Sequence, residues 1–154
     1  MKYVSTRGSI AEQSFEDVLL SGLARDGGLF VPEAWPNVTP DDIRALAPLR
    51  YTEIVTRIVR PFIEVELVSD SDLTRIVEQA YSGFRHSEIA PLQQLDEDTW
   101  VLELFHGPTL AFKDFALQLL GGAVRPRAWH ARRASYDCWR DVRGYGFSGD
   151  RGLP

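Results

Sequence analysis

The sequence predicts an α/β chain that is mainly helical in its first half and carries short strands. Three observations predict this fold class. Apolar residues recur at helical spacing in several segments that begin with Ser, Thr or Pro. "KYVST" and "LFV" are short, apolar or β-branched, and bounded by Gly or Pro. "TWVLELF" is rich in strand formers and precedes a Gly-Pro turn and another helical pattern. We therefore expect a domain over residues 1–85, the start of a second over 86–122, and an irregular tail over 123–154.

Local capping signals predict where the helices of the first domain begin. Ser14 is a plausible cap for "FEDVLLSGLA", and Thr39 caps a helix whose first position is Pro40. "YTEIVTRIVRPFI" is amphipathic and is expected to bend or break near Pro61. Ser69 or Ser71 caps the last of these helices. All four are expected to be structural and to carry no chemistry.

Helical spacing also predicts the residues that face the core. The first helix is expected to present Phe15, Val18, Leu19 and Leu23 on one face, and the last Leu73, Ile76, Val77 and Tyr81. In the third helix, the apolar face is expected to comprise Ile54, Val55, Ile58, Val59 and Phe62.

The second region has a different pattern. "TWVLELF" predicts a short buried strand, "HGPT" a turn, and "LAFKDFALQLLGG" a helix that stops at Gly-Gly. The residues that recur there at helical spacing are Phe112, Phe115, Ala116 and Leu119. Lys113 is therefore expected in the first turn of a helix that follows a strand and a turn.

Composition narrows the functional classes. The net charge of −5 argues against a dedicated nucleic-acid binder. Cys138 is the single cysteine, so a reducing compartment is expected. No apolar stretch has the length of a signal peptide or a membrane span, and the interpretation is a cytoplasmic protein without a membrane partner. The histidines and the cysteine lack the ligand spacing of a zinc site, so no metal is expected.

Lys113 is one of only two lysines in the chain, the other being Lys2. A cation at the positive end of a helix is electrostatically misplaced, and a partly apolar setting also disfavours the charged form. Both effects favour a neutral amine, which can form an imine with an aldehyde such as pyridoxal phosphate. The alternative is an ordinary surface lysine whose charged end reaches water.

The amino-acid sequence around Lys113 favours the interpretation that this lysine binds pyridoxal phosphate. "ELFHGPTLAFKDFALQLLG" resembles the lysine segment of the threonine synthase family, pyridoxal-phosphate enzymes of fold type II. "YVSTRG", "FEDVLLSGLARDGGLFVPE" and "YTEIVTRIV" are similar to the amino-terminal domain of that family. The resemblance covers about residues 1 to 122.

The resemblance implies functions for four residues of this segment. It assigns cofactor binding to Lys113, Phe112 and Thr109, and catalysis to Lys113 and His106. For His106, a purely structural loop role is an equal alternative. The implied fold is the first strand and the lysine helix of the cofactor domain. The implied reaction converts O-phospho-L-homoserine and water to L-threonine and phosphate, so the expected partner is a small-molecule substrate.

The tail has a different composition from the rest. Residues 1–122 hold ten Lys+Arg and nineteen Asp+Glu, whereas residues 123–154 hold seven Arg and three Asp. No Gly-rich phosphate loop can be recognised in the tail. Read one base later, however, the codons of residues 136–151 permit "TIVGATSGDTGSAAIE", which resembles the phosphate loop of the same family. We therefore expect a frameshift near Gly121 or Gly122 and a fragment that is inactive alone.

A second hypothesis assigns the chain no enzymatic function. An acidic α/β body would present the arginine- and tryptophan-rich tail to nucleic acid or an acidic partner.

Overall fold

The computed structural model describes residues 1–128, with side chains through residue 122. Nine elements follow one another in this part of the chain. In order, they are β1 (Tyr3–Ser5), α1 (Phe15–Ser21), β2 (Phe30–Pro32), α2 (Pro40–Arg44), α3 (Tyr51–Val59), α4 (Asp70–Tyr81), β3 (Leu92–Gln94), β4 (Trp100–Leu102) and α5 (Asp114–Ala128). A short 3-10 turn, Arg60–Phe62, follows α3. The predicted mixture of helix and strand is confirmed in its broad outline.

Strands β1 and β2 form an antiparallel pair near the amino terminus. Tyr3 lies opposite Pro32 and Ser5 opposite Phe30. The sequence predicted a short strand that ends at Pro32, and β2 does end there, with Pro32 as its last residue. Proline is tolerated there because an edge strand does not need every N–H group. The turn before β2 is held by Asp26, whose carboxylate accepts hydrogen bonds from the Ser5 hydroxyl and the Gly28 amide.

The predicted caps are confirmed. Ser14, Thr39 and Ser69 cap α1, α2 and α4, and each side-chain oxygen accepts an N–H of the first helical turn. The expected face of α1 is wrong at Leu23, which lies beyond the helix and is 63% exposed. Gly22, with a φ of 71°, ends α1 earlier because it adopts the left-handed region that glycine tolerates.

The predicted break at Pro61 is also confirmed, since α3 gives way to the 3-10 turn that contains this residue. The Arg60 guanidinium stabilises the chain after the break. It donates to the carbonyl oxygens of Ile63 and Val68 and forms an ion pair with Asp70. This arrangement fixes the path between α3 and α4.

Helix α4 forms the centre of the core. Its buried residues are Leu73, Ile76, Val77, Ala80 and Tyr81. The side packed against α3 and α5 includes all four α4 residues that the sequence predicted to face inward. The prediction for α3 is wrong at Ile58, which is 44% exposed. At the carboxyl end of α4, four aromatic rings pack together. They belong to Tyr51, Tyr81, Phe84 and Phe115. Burial raises the pKa of the Tyr81 phenol, with Tyr51 adding to the effect.

Strands β3 and β4 form a two-stranded antiparallel hairpin. Leu92 lies opposite Leu102, and Gln94 lies opposite Trp100. The sequence predicted a strand at β4 correctly, but its predicted burial is wrong, because every residue of both strands is exposed. Several of these exposed residues are apolar, and such residues are usually buried against another element. Within the described residues, no helix or strand packs over either face of this hairpin.

Helix α5 differs from its prediction at both ends. It begins at Asp114, so Lys113 immediately precedes the helix instead of lying in its first turn. It continues through Gly121 and Gly122 to Ala128, although Gly-Gly was expected to stop it. Gly122 allows close packing instead, since a Cβ there would lie 3.1 Å from a methyl carbon of Ile76 on α4. The first six residues of the predicted irregular tail are thus helical, and the remainder lies outside the described residues.

Candidate functional site

The candidate site is the loop between β4 and α5. Lys113 is its last residue, and its carbonyl oxygen accepts the first helical hydrogen bond, from the Leu117 amide at 2.9 Å. The side chain of Lys113 is exposed. The burial predicted for this amine is therefore wrong for this chain.

Phe112 and Leu110 lie on either side of Ala111 in the same loop. Phe112 is 65% exposed and Leu110 54%. The Phe112 ring, predicted to line a cofactor, thus presents an uncovered apolar surface next to Lys113. Leu110 has a φ of 61°, a left-handed conformation that is uncommon for a side chain of this size. Such backbone strain persists only where surrounding contacts hold it.

Asp114 provides those contacts. One carboxylate oxygen accepts the Thr109 amide at 2.8 Å, and the other accepts the Thr109 hydroxyl at 2.7 Å. Asp114 is 1% exposed, which makes it one of the most buried polar residues in the described part of the chain. The hydroxyl of Thr109, a predicted cofactor-binding residue, therefore donates its proton within the protein.

The role of Asp114 in this loop was not predicted from the sequence. An acid at the start of a helix is already explained by the helix dipole, so no further role was inferred. The available signal was the spacing: a threonine, then an aspartate five residues later, with glycine at position 107. A Cβ on Gly107 would overlap the Asp114 carboxylate, so glycine is required for this approach.

His106 lies at the other end of the turn and is paired with Glu103. Their Nε2 and Oε2 atoms are 2.6 Å apart, and both side chains are mostly buried. The His86 ring packs 5.0 Å from the His106 ring. The backbone carbonyl of His106 accepts the Arg85 amide at 2.8 Å. His106 is thus fixed at its ring and at its backbone, and the sequence analysis assigned no role to Glu103.

Two contacts join this loop to the helical region. The Tyr81 hydroxyl donates to the Phe115 carbonyl at 3.0 Å, which ties the first turn of α5 to the end of α4. Gly83 lies against Pro108 of the loop, at a distance a methyl group would tolerate. The site is therefore positioned by the helical core, and the predicted boundary between residues 85 and 86 stays a prediction.

Helix amino termini are the usual sites for phosphate groups. In the described residues, the amino terminus of every α-helix already carries a carboxylate in its first turn. These acids are Glu16 and Asp17 in α1, Asp41 and Asp42 in α2, Glu53 in α3, Asp70 and Asp72 in α4, and Asp114 in α5. Their negative charge repels a phosphate, so residues 1–128 offer no favourable phosphate site at a helix terminus.

Other features lie apart from this loop. A cleft of about 480 Å³ between α3 and α4 is lined by residues such as Arg57, Thr74 and Glu78, and by none of the predicted site residues. Among residues 1–128, no group of histidine, cysteine or acidic side chains has an arrangement that could hold a metal ion. No helix in this range has the length and apolar character needed to cross a membrane.

The fold and the loop together define a mixed α/β chain in which a helical amino-terminal region supports a turn–lysine–helix segment. Comparison with known proteins narrows that class to one family. The family described as "Threonine synthase N terminus" matches residues 2–81. The chain belongs to the threonine synthase family.

Individual relatives agree with this assignment. Threonine synthase of Pseudomonas aeruginosa is 54% identical over 121 residues, which cover 79% of this chain and 26% of that protein. A PLP-bound threonine synthase structure from Brucella melitensis is 48% identical, with a TM-score of 0.78 over 83% of this chain and 28% of that chain. The yeast enzyme structure is 37% identical, with a TM-score of 0.76 over 87% of this chain and 28% of that chain. The chain thus spans about a quarter of the length of these relatives.

Proposed function

We propose that this chain is the amino-terminal part of a threonine synthase and that Lys113 is its pyridoxal-phosphate-binding residue. The observation that carries the proposal is the position of Lys113, at the end of a loop that a buried carboxylate and the helical core hold in place. The Brucella relative, described as PLP bound, supports the same cofactor. On this proposal, β4 and α5 are the first strand and the lysine helix of a fold-type-II cofactor domain.

The residues of the loop fit the aldehyde end of the cofactor. Lys113 supplies a primary amine on an exposed residue, and Phe112 an exposed aromatic face against which a pyridine ring can pack. When bound, the pyridine ring withdraws electrons from a substrate carbon and so stabilises negative charge there. Lys113 would hold the cofactor and then move protons at the substrate, alternating as base and acid.

The other predicted site residues have supporting positions in this proposal. His106 would present a ring whose Nε2 is already engaged by Glu103, so its orientation is set before substrate binds. The Thr109 hydroxyl donates to Asp114, and its lone pairs remain able to accept a hydrogen bond from the cofactor. The proposed substrate is O-phospho-L-homoserine, and the products are L-threonine and phosphate. A cytoplasmic location is part of the same proposal.

The loop lacks the phosphate end of such a site within residues 1–128, because each described helix terminus carries its own carboxylate. We therefore expect weak cofactor binding and no measurable turnover by this chain alone. We also expect the phosphate group to contribute little to the affinity.

A titration tests both statements. The chain is mixed with pyridoxal phosphate or with 5′-deoxypyridoxal, which lacks the phosphate, and the imine is followed by its absorption at roughly 410–430 nm. The two affinities should agree within about threefold, and the band should be lost in Lys113→Arg but kept in Lys2→Arg. Tight binding of pyridoxal phosphate alone would contradict the weak site, and a band that persists in Lys113→Arg would contradict the assignment of this lysine.

The tail receives a separate proposal: residues beyond about 122 are the product of a frameshift in a threonine synthase gene. Two observations support it. The Pseudomonas relative matches 121 residues of this chain, and the shifted codons of residues 136–151 permit a phosphate-loop sequence. Sequencing the gene tests it. We expect the shifted frame to continue without a stop codon, whereas a stop within a few codons of residue 154 in that frame would refute the frameshift.

A further inference from the structure

We propose that Asp114 is a positioning residue that holds the lysine loop in the geometry needed to present Lys113 to an aldehyde. This inference rests on the proposed function of Lys113. The Asp114 latch is defined here as the Asp114 carboxylate together with the amide and the hydroxyl of Thr109 that it accepts. Asp114 itself faces inward and does not need to touch the cofactor.

Burial is the first reason for assigning this role. Asp114 is 1% exposed, while its neighbours Phe112 and Lys113 are exposed. A buried carboxylate is costly unless hydrogen bonds compensate for lost hydration. Both oxygens of Asp114 are compensated by a single residue, Thr109, at 2.8 and 2.7 Å. The two bonds therefore close a loop of defined shape, and charged partners make them stronger than neutral ones.

The backbone of the loop gives the second reason. Leu110, immediately after Thr109, is held at a φ of 61°, a strained conformation for a large side chain. Its amide donates to the Gly107 carbonyl at 3.1 Å. Position 107 has no room for a Cβ because the Asp114 carboxylate lies there. The turn between β4 and α5 thus contains a strained residue, Leu110, and a glycine, Gly107, that the buried carboxylate of Asp114 requires.

Backbone hydrogen bonds next to the latch hold the chain on both sides of Lys113. The Asp114 amide donates to the Ala111 carbonyl at 3.0 Å, and the Lys113 carbonyl accepts the Leu117 amide at 2.9 Å. Helix α5 is in turn tied to α4 by the Tyr81 hydroxyl. Releasing Asp114 would leave α5 in place and free the loop that leads to Lys113.

The chain contains a matched pair of groups for comparison. Asp42 also accepts both the amide and the hydroxyl of a threonine, Thr39, at 2.9 and 2.6 Å. That pair lies on the exposed helix α2 and caps it. Both Thr39 bonds reach one oxygen of Asp42, Oδ2, whereas the Thr109 bonds use both oxygens of Asp114. Asp42→Asn is therefore a control for neutralising a threonine-paired aspartate at a place that plays no part in the lysine loop.

The experiment measures the selectivity of Lys113 for pyridoxal phosphate. The full chain is treated with pyridoxal phosphate and then borohydride, and the labelled peptides are quantified by mass spectrometry. Lys2 is the internal reference because it is the only other lysine. We expect the Lys113:Lys2 ratio to fall about tenfold in Asp114→Asn and to stay within about twofold in Asp42→Asn.

A second pair of variants leaves Asp114 itself unchanged. Gly107→Ala places a methyl group against the Asp114 carboxylate and should lower the same ratio. Gly83→Ala is its control, since a Cβ there meets Pro108 at 3.6 Å, an ordinary contact. Far-UV circular dichroism of each variant must match that of the unmodified chain, so that a lower ratio reports the loop and not unfolding.

The outcomes separate the inference from the proposed function. A high ratio in the unmodified chain that falls in both Asp114→Asn and Gly107→Ala supports the latch. A high ratio that neither substitution changes overturns the latch and leaves the function of Lys113 intact. A ratio near one in the unmodified chain overturns the cofactor assignment and the latch with it.

Discussion

Residues 1–85 and residues 86–122 bury their apolar surface to very different extents. In the first region, α4 has five buried residues and packs against helices on two sides. In the second, all six residues of the β3–β4 hairpin are exposed, among them Leu92, Trp100 and Leu102. Both regions are apolar in sequence, but the first finds its packing partners within the described residues, whereas the hairpin does not.

This difference in burial shows which side of the candidate site has its packing partners within the described residues and which side does not. A two-stranded hairpin is at best marginally stable without a covering layer. The relatives are about four times as long as the matched part of this chain, so they hold chain that can provide such a layer. Lys113 lies at the junction: the helical region supports the back of its loop through Tyr81 and Phe115, and its front is open.

The largest expected difference between the regions is in the free energy of unfolding. Leu73 is 1% exposed at the centre of the core, so Leu73→Ala should destabilise the chain by about 3 kcal/mol. Leu92→Ala removes the same atoms from a residue that is 55% exposed and should change stability by less than about 0.5 kcal/mol. Urea denaturation followed by circular dichroism measures both. Equal losses would show that the hairpin is packed and that the contrast is wrong.

A smaller effect is expected where the two regions meet. Tyr81→Phe removes the hydroxyl that donates to the Phe115 carbonyl and should cost about 1 kcal/mol. Because that bond ties α5 to α4, amide hydrogen exchange over Leu117 to Leu120 should accelerate.

Tyr3→Phe is the control for this substitution, since the Tyr3 hydroxyl donates to the Phe62 carbonyl at 2.6 Å in the amino-terminal region. It should cost a similar free energy without accelerating exchange in α5. Faster exchange in both variants would mean that α5 responds to global stability and is not specifically held by Tyr81.

The core and caps of the first region were predictable because they depend on short-range rules. Ser14, Thr39 and Ser69 cap helices for reasons that involve only the next turn. The inward face of α4 follows from helical periodicity alone. Gly22 ended α1 before Leu23, a local turn that the apolar spacing did not reveal.

The second region was less predictable because its properties depend on contacts distant in sequence or outside the described residues. β4 reads as a buried strand, yet its burial needs partners that residues 1–128 do not provide. The same holds for the apolar setting expected around Lys113. Gly122 was expected to stop α5, but its role depends on the approach of Ile76, which sequence spacing does not reveal. The contacts of Asp114 with Thr109 were not predicted because the helix dipole already explains an acidic residue at the start of a helix.

The smallest expected effect is the pH dependence of the amino-terminal turn. The hydrogen bond from the Gly28 amide, with others from Ser5 and Ser9, lowers the pKa of Asp26 below its usual value of 3.8. A carboxyl with a lowered folded-state pKa stabilises the fold above its unfolded-state pKa, and that stability is lost as pH falls through the folded-state pKa. Denaturation midpoints between pH 5 and pH 2 should therefore fall less steeply in Asp26→Asn. If the midpoints of Asp26→Asn fall as steeply with pH as those of the unmodified chain, this turn does not contribute to the pH dependence of stability.

The most direct test of the account is the distribution of pyridoxal phosphate between the two lysines of the unmodified chain. Borohydride trapping and peptide mapping should place most of the label on Lys113, at the end of the latched loop, and little on Lys2. Equal labelling of Lys113 and Lys2 would contradict the account, because the loop would then give this amine no advantage over an ordinary surface lysine.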